Sequence, residues 1–272
     1  MNYIEFDITI GSTDQSEQLT ALLAEQNFDG FEETENTLKA FVAEDKFNQE
    51  DFDKVIHLFP SISYKKEIVE NINWNAKWES DFEPVVVDNF AAIRASFHHP
   101  VKNVQHEIVI TPKMSFGTGH HATTYLMIQQ MAGIDLTNKT VLDFGTGTGV
   151  LAILAEKLGT ASVVAIDNDE WSIENGKENI YANNAAKVHI SLADSIDETG
   201  RFDIVLANIN LNVILANLAA INAVTNKGSV IILSGFLYND EAQMKEAIKN
   251  IGLTHLKTKQ KGDWICMEVV KL

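Results

Sequence analysis

The sequence predicts an α/β protein that joins a small ferredoxin-like α+β domain to a larger Rossmann-like domain, whose parallel sheet is flanked by helices. Three observations support this prediction. The first 70 residues follow the order β-α-β-β-α-β, strands and helices alternate after residue 123, and a glycine-rich turn joins one strand to its helix. We expect the first domain at residues 1–70, a linker at 71–84 and the second domain at 85–272.

Composition limits the class of protein. The chain has 272 residues, of which 45% are hydrophobic and 22% charged, as in globular proteins with a buried core. No apolar run approaches the roughly 18 residues that a membrane helix requires. The first ten residues alternate apolar and polar and lack the basic start of a signal peptide. A single cysteine, Cys266, excludes an internal disulfide. These features predict a cytoplasmic protein without a membrane segment.

The first domain has its own pattern of alternation. Strands are predicted at residues 3–10, 28–33, 37–43 and 63–69, and helices at 14–26 and 48–58. The first helix carries Leu19, Leu22 and Leu23 at helical spacing. This domain holds no cluster of catalytic side chains, so we interpret it as a recognition module. The linker that follows contains Trp74 and Trp78, which are expected to pack it in place.

Charge is concentrated in the first part of the chain. The formal net charge is −17, and residues 1–84 hold 19 acidic against 6 basic side chains. Such a surface repels a phosphate backbone and attracts a basic protein, so direct nucleic-acid binding is not expected. The alternative is that the acidity serves solubility alone.

The second domain is predicted from alternating segments. Strands are expected at 85–87, 92–97, 107–110, 140–144, 162–166, 188–192 and 204–208, and helices at 123–131, 149–158 and 170–183. In such parallel sheets, ligands bind at the carboxyl ends of the strands.

The glycine turn indicates the ligand. The run from Asp143 to Gly149 reads D-F-G-T-G-T-G and connects a strand to a helix. Glycines at 145, 147 and 149 allow positive φ and close approach of a ligand. A dinucleotide fingerprint needs a third glycine where Val150 stands, which disfavours a dehydrogenase. The observed register is typical of S-adenosylmethionine-dependent methyltransferases, and Asp143 suits the ammonium of that cofactor.

Polar side chains at the ends of the next strands complete the candidate site. Asp167 ends the second strand, where a carboxylate accepts the ribose hydroxyls; the alternative is a solvated acid in a turn. Asp194 is a candidate for the adenine amino group, in competition with Asp197 and Glu198. Asn208 ends the fourth strand, where its carbonyl oxygen would hold a substrate N–H, unless it caps the following helix.

Together with F-G-T-G-H-H-A-T-T at residues 116–124, these motifs resemble the PrmA family of ribosomal protein methyltransferases. His120 stands where Thr is usual in the family and Ala122 where Pro is usual. Leu233, Gly235 and Trp264 extend the resemblance, as does the Trp74–Trp78 linker. Specific motifs cover roughly the last 200 residues, and the first 70 match by architecture.

The resemblance implies a methyltransferase that moves methyl groups from S-adenosylmethionine to lysine amino groups, with the N-terminal amine as a further acceptor, of a basic large-subunit ribosomal protein. It implies cofactor contacts at Thr124, Gly145, Gly147, Asp167 and Asn208, a flap at residues 116–119, and Asn208 as the catalytic residue. No metal is expected, because His98, His99, His120 and His121 have no acidic or Cys partner at ligand spacing. The alternatives are a methyltransferase acting on another protein, RNA or a small molecule, and a non-catalytic cofactor-binding scaffold.

Overall fold

The computed structural model describes residues 2–34, 36–60, 62–69, 82–113, 116–196 and 200–272. The chain divides into two compact units, Met1–Asp81 and Phe82–Leu272. Trp74, Trp78 and most of the predicted linker lie outside the described residues. Among the helices that are described, none is both long and apolar enough to cross a membrane.

The first unit has the predicted ferredoxin-like architecture. Its elements are β1 (Tyr3–Thr9), α1 (Thr13–Ala24), β2 (Phe28–Glu33), β3 (Thr37–Ala43), α2 (Gln49–Ile56) and β4 (Tyr64–Val69). The strands form an antiparallel sheet in the order β2-β3-β1-β4. Element order and strand order together confirm this part of the fold prediction.

Alternation along β1 builds the core of this unit. Ile4, Phe6 and Ile8 are buried against the helices, whereas the residues between them remain partly exposed. Leu19 from α1 and Phe52 from α2 cover them, and the rings of Phe6 and Phe52 lie 4.1 Å apart between centroids. The helices therefore cover one face of the sheet and leave the polar positions of β1 on the other.

The second unit begins with a three-stranded sheet of β5 (Val85–Val87), β6 (Ala91–Ala95) and β7 (His106–Ile110). Strand β5 pairs antiparallel with β6, and β6 pairs parallel with β7. Strand β6 ends at Ala95, two residues before the predicted end. The reason is a turn, in which the His98 backbone N–H donates to the Ala95 carbonyl and the Ala95 N–H donates to Nδ1 of the His98 side chain, both at 3.2 Å.

The remaining elements form a seven-stranded sheet and its helices. They are α3 (Ala122–Met131), β8 (Thr140–Phe144), α4 (Val150–Lys157), β9 (Ser162–Asp167), α5 (Glu170–Ala182), β10 (Val188–Leu192), β11 (Phe202–Asn208), α6 (Leu211–Ala223), β12 (Thr225–Leu237), α7 (Glu241–Asn250), β13 (Leu253–Lys261) and β14 (Trp264–Lys271). The sheet order is β10-β9-β8-β11-β12-β14-β13. The strands are parallel except β14, which is antiparallel to both neighbours.

Both faces of this sheet are buried, which explains the nearly continuous apolar runs in its strands. Val141 and Leu206 face one hydrophobic core, whereas Leu142 and Val205 face the other. The predicted parallel sheet flanked by helices is therefore confirmed. From the central strand β8 the chain builds β9 and β10 on one side, then β11 and β12 on the other. This reversal opens a crevice at the carboxyl ends of β8 and β11.

Helix α5 and its C-cap carry a stripe of asparagines at helical spacing, of which Asn175 and Asn179 are fully buried and Asn183 is partly buried. Asn183 exchanges two hydrogen bonds with the backbone of Val109, at 2.6 and 2.9 Å. Asn179 accepts from the Thr111 N–H at 2.7 Å, and Asn175 donates to the Thr111 carbonyl at 3.0 Å. The stripe therefore takes the place of a neighbouring strand along β7 and satisfies its backbone groups.

Candidate active site

A cavity of about 590 Å³ lies at the carboxyl edge of the seven-stranded sheet. Its wall includes Phe116, Asp167, Asp194, Asn208 and Trp264, which come from five different segments of the chain. The position is the crevice at which the strand order reverses, where open α/β sheets bind their ligands. The topology alone therefore identifies this cavity as the candidate active site.

The floor of the cavity is the glycine loop between β8 and α4. Gly145 and Gly147 have φ of +74° and +54°, a region that favours glycine. A Cβ on Gly145 would collide with the side chain of Ile209, and one on Gly147 would collide with the Phe116 carbonyl. The loop therefore needs glycine both for its backbone conformation and for space, and it presents bare backbone to the cavity.

Asp167 ends β9 and lines the cavity beside this loop. One carboxylate oxygen accepts from the Gly147 N–H at 2.8 Å, and the other from the Asp169 N–H at 3.1 Å. Each carboxylate oxygen can accept two hydrogen bonds, so each retains one lone pair for a ligand. The side chain is thus held in place while it still has acceptor capacity toward the cavity.

Asp143 lies beneath the loop. Its side chain is almost fully buried and accepts from the Thr146 hydroxyl at 2.6 Å. Burial raises the pKa of Asp143 to about 7, and the hydrogen bond from Thr146 opposes that rise. A carboxyl group with this pKa changes its charge near neutral pH, directly under the loop that a ligand would contact.

Asn208 ends β11, and among the described residues only the nitrogen of its side-chain amide has a hydrogen-bond partner. The Nδ2 group donates to the Thr124 hydroxyl at 3.3 Å. The Oδ1 atom is buried and has no hydrogen-bond partner among the described residues. An unpaired buried acceptor costs roughly 1–3 kcal/mol. A ligand N–H that reached Oδ1 would remove this cost.

The structure decides a question that the sequence left open, namely whether Asn208 caps the helix that follows it. Asn210, rather than Asn208, caps α6, because its Oδ1 accepts from the Val213 N–H at 3.1 Å. Thr123 and Thr124 of the same helix turn are both fully buried; the Thr124 hydroxyl accepts from Asn208, and Thr123 belongs to the cavity wall. Thr124 is therefore placed to orient the Asn208 amide.

The entrance carries a row of rings. His121 lies edge-on to Phe116 with ring centroids 5.3 Å apart, and to Trp264 with centroids 4.5 Å apart. The Nδ1 atom of His121 accepts from the Thr123 N–H at 3.3 Å and caps helix α3. Since Nδ1 is an acceptor in this bond, the ring proton is assigned to Nε2.

Two further predictions concern the acidic residues that follow β10 and a metal site. Asp194 lines the cavity, whereas Asp197 and Glu198 lie outside the described residues. Within the part of the chain that is described, no group of three His, Cys, Asp or Glu side chains could hold a metal ion.

The sequence predicted no role for Ile209, which lies in close contact with two glycines, Gly145 and Gly235. A Cβ on Gly145 would collide with the Ile209 side chain, and one on Gly235 would collide with the Ile209 carbonyl. Gly235 also has a φ of +100°. The sequence feature that could have predicted this contact is Gly235, because a glycine near the carboxyl end of a strand often marks close approach of another backbone.

The cavity fits S-adenosylmethionine on its own geometry. Gly145 and Gly147 line it with backbone, Asp167 keeps acceptor capacity toward it, and Asn208 has an unpaired side-chain oxygen. This site, on a sheet with one reversed strand near its edge, defines a Rossmann-like S-adenosylmethionine-dependent methyltransferase.

Comparison with known proteins gives the family. The chain belongs to the ribosomal protein L11 methyltransferases (PrmA), whose family model matches residues 6–272. It is similar to the ribosomal protein L11 methyltransferase of Chlorobaculum tepidum, with 38% identity over 97% of this chain and 95% of that protein. The corresponding protein of Phocaeicola vulgatus is 34% identical over 99% of both chains.

A solved structure agrees with this assignment. The crystal structure of ribosomal protein L11 methylase from Lactobacillus delbrueckii subsp. bulgaricus superposes with a TM-score of 0.65 at 27% identity. The match covers 70% of this chain and 99% of that chain. The resemblance inferred from the motifs is therefore confirmed.

Proposed function

We propose that this protein transfers methyl groups from S-adenosylmethionine to amino groups of ribosomal protein L11: lysine side chains, with the N-terminal amine as a further acceptor. The observation that carries the choice of an amine is the unpaired Oδ1 of Asn208, because this residue lines the cavity and its oxygen would accept an N–H of the substrate. Family membership supports the ribosomal protein as the substrate.

We assign the cofactor to Thr124, Gly145, Gly147, Asp167 and Asn208. The loop glycines give the cofactor access to backbone, and the Asp167 carboxylate accepts from its ribose. Thr124 acts through Asn208, whose amide it orients from the first turn of α3. When bound, the cofactor supplies a methyl group on a positively charged sulfur, which is already a good leaving group.

The residues of the cavity then have three tasks, namely desolvation, alignment and orientation of the incoming nitrogen. The Asn208 carbonyl oxygen accepts one N–H of the amine, which turns the nitrogen lone pair toward the methyl donor. Phe116, His121 and Trp264 line the entrance with rings that exclude water around an alkyl chain. A lysine amine must lose a proton before it reacts, because its ordinary pKa is about 10.4. We assign that proton to solvent and name no side chain as a general base.

The proposal also places the protein with its substrate. Ribosomal proteins are made in the cytoplasm, so we assign the enzyme to that compartment. The substrate is basic, and the excess of acidic side chains in residues 1–84 favours it over a nucleic acid.

The test is incubation of the purified protein with S-adenosylmethionine and unmodified ribosomal protein L11, followed by mass spectrometry of its peptides. We expect added mass in 14 Da steps, a figure that follows from replacing each N–H hydrogen by a methyl group, on lysine side chains and the N-terminal residue. The Asn208→Ala variant should transfer about 100-fold more slowly, the scale for a misaligned reacting group. Modification of RNA or of another protein, with ribosomal protein L11 untouched, would refute the assignment.

A further inference from the structure

Residues 116–119, the flap segment, are fastened to the glycine loop by Thr148. The Thr148 backbone N–H donates to the Phe116 carbonyl at 3.0 Å. The Thr148 hydroxyl donates to the Gly117 carbonyl at 2.8 Å. The Thr148 side chain is fully buried and is absent from the cavity wall in the described part of the chain. Its hydroxyl therefore binds the flap segment rather than a ligand.

Two glycines allow this close contact. Gly117 has a φ of +108°, and a Cβ there would lie 2.7 Å from the Thr148 hydroxyl oxygen. On the opposite side, a Cβ on Gly147 would collide with the Phe116 carbonyl. The two segments thus touch through backbone at both positions, and the Thr148 hydroxyl occupies the space that a side chain at residue 117 would need.

Thr148 is in turn held by a side chain of helix α5. Asn179 of helix α5 donates from its side-chain amide to the Thr148 carbonyl at 2.8 Å, and both residues are fully buried. The same amide accepts from the Thr111 N–H at 2.7 Å. A buried side chain of α5 therefore holds Thr148, and Thr148 in turn holds the flap segment.

The flap segment carries Phe116 into the cavity wall. The Phe116 side chain is 51% exposed and packs edge-on against His121 at the entrance. Half of the ring is exposed and its backbone is bound to Thr148, so the position of the ring depends on how firmly residues 116 and 117 are held. Thr148 is absent from the described cavity wall, so it affects the shape of the entrance through the position of Phe116.

We propose that Thr148 is a positioning residue for the acceptor: its hydroxyl holds the flap segment so that Phe116 shapes the entrance through which the substrate amine arrives. The proposal rests on the proposed function for its kinetic part and on the geometry alone for its structural part. The two threonines of the glycine loop therefore have different roles: the Thr146 hydroxyl binds Asp143 under the loop, and the Thr148 hydroxyl binds the flap segment.

The structural test is hydrogen exchange of the Thr148 amide and of the peptide that spans residues 116–119. Thr148→Val keeps the shape of the side chain and removes the hydroxyl, whereas Thr148→Ser keeps the hydroxyl. Thr160→Val is the matched control, because Thr160 is equally buried and its hydroxyl has no partner among the described residues. We expect about tenfold faster exchange in Thr148→Val alone. Unchanged exchange in that variant would overturn the proposal.

The kinetic test separates acceptor placement from cofactor binding. In Thr148→Val, kcat/KM for ribosomal protein L11 should fall about tenfold, while calorimetry with S-adenosylhomocysteine should show a change in Kd below about threefold. Thr148→Ser should restore kcat/KM. An equal loss of cofactor affinity would mean that Thr148 supports the glycine loop itself, which contradicts the proposal.

Two outcomes remain to be distinguished. If the wild-type protein does not modify ribosomal protein L11, the proposed function fails and the exchange experiment still decides the role of Thr148. If Thr148→Val does not fold, Gly117→Ala disturbs the same contact from the other side. That variant should show the same split between kcat/KM and Kd, and a parallel loss of both would refute the positioning role.

Discussion

At the scale of single residues, Asp167 is fixed before any ligand arrives. Two backbone N–H groups, from Gly147 and Asp169, hold its carboxylate at the cavity wall. We expect Asp167→Ala to weaken S-adenosylmethionine binding by roughly 1.5–3 kcal/mol, the scale for losing hydrogen bonds to a charged acceptor. Titration calorimetry on the folded variant measures this loss. Because the variant also releases the Gly147 N–H, circular dichroism and the unfolding temperature should be recorded beside it. Unchanged affinity in a folded variant would contradict the ribose assignment.

The buried carboxyl of Asp143 makes stability depend on pH. Its pKa rises from an ordinary value of 3.8 to about 7, chiefly through burial. The folded state therefore holds this proton at pH values where the unfolded state has released it. Stability from this group is fully present below the unfolded pKa and is lost as pH rises through about 7. The loss is bounded at roughly 4 kcal/mol, which is the shift multiplied by 1.36 kcal/mol per pKa unit.

The measurement compares urea unfolding of the wild type and Asp143→Asn between pH 4 and pH 8. The amide cannot ionise and still accepts from the Thr146 hydroxyl, so the variant lacks this titration. We expect the variant to become progressively more stable than the wild type as pH rises from 4 to 7, with a constant difference above that. A difference that did not vary with pH would mean that Asp143 ionises in the folded protein as it does in the unfolded one.

At the same scale, the sequence predicted residues that line the cavity and left their individual contacts open. Asp167 and Asn208 were predictable because each closes an apolar strand at the ligand-binding edge. Whether Asn208 or Asn210 caps α6 was not predictable, since both stand near the start of the helix and capping depends on local backbone angles. The contact between Thr124 and Asn208 joins residues 84 positions apart. No spacing in the sequence encodes such a contact.

At the scale of elements, periodicity predicted the bounds of α5 but not the polar character of its inner face. The helix was predicted at residues 170–183 and is found at Glu170–Ala182. Its inner face, however, is polar at the buried Asn175 and Asn179 and at the partly buried cap Asn183, and an apolar pattern does not predict such a face. The partners are backbone groups of β7 and the glycine loop, at sequence separations from 31 to 74. Only the folded arrangement supplies them.

The central asparagine of this stripe should be costly to replace. Asn179→Leu keeps the volume but leaves the Thr111 N–H and the Thr148 carbonyl without their partner. At about 1–3 kcal/mol for each of the two unpaired groups, we expect a loss of roughly 2–6 kcal/mol in the free energy of unfolding. Urea denaturation measures it. Lys177→Ala, on the exposed side of the same helix, is the control and should stay within about 0.5 kcal/mol of the wild type.

At the scale of the whole molecule, charge is concentrated in residues 1–84, which comprise the first unit and three residues of the second. Of the formal net charge of −17, the imbalance of 19 acidic against 6 basic side chains in residues 1–84 contributes the larger part. Both architectures followed from alternation and element order, because each unit buries its own periodic faces. The strand order of the larger sheet beyond β11 did not, since pairing of β14 between β12 and β13 is set by tertiary contacts.

This asymmetry predicts how association with a basic protein responds to salt. An acidic unit attracts a basic substrate over long range, and at about 0.15 M salt the Debye length is near 8 Å. We expect kcat/KM for ribosomal protein L11 to fall clearly between low and high salt. The Kd for S-adenosylmethionine rests on short-range contacts around Gly145 and Asp167, so it should change much less over the same range.

Charge reversal distinguishes attraction by the first unit from an effect of total charge. Glu17→Lys with Glu33→Lys alters two exposed acids of the first unit, and Glu174→Lys with Glu246→Lys alters two exposed acids of the second. Both double variants change the net charge equally. If the first unit steers the substrate, the Glu17 and Glu33 variant should lose kcat/KM at low salt and become less sensitive to added salt, and the other should not. Equal losses in both would assign the effect to total charge. Insensitivity to salt and to both reversals would leave the acidity as a solubility feature, and recognition would then rest on shape and apolar contacts.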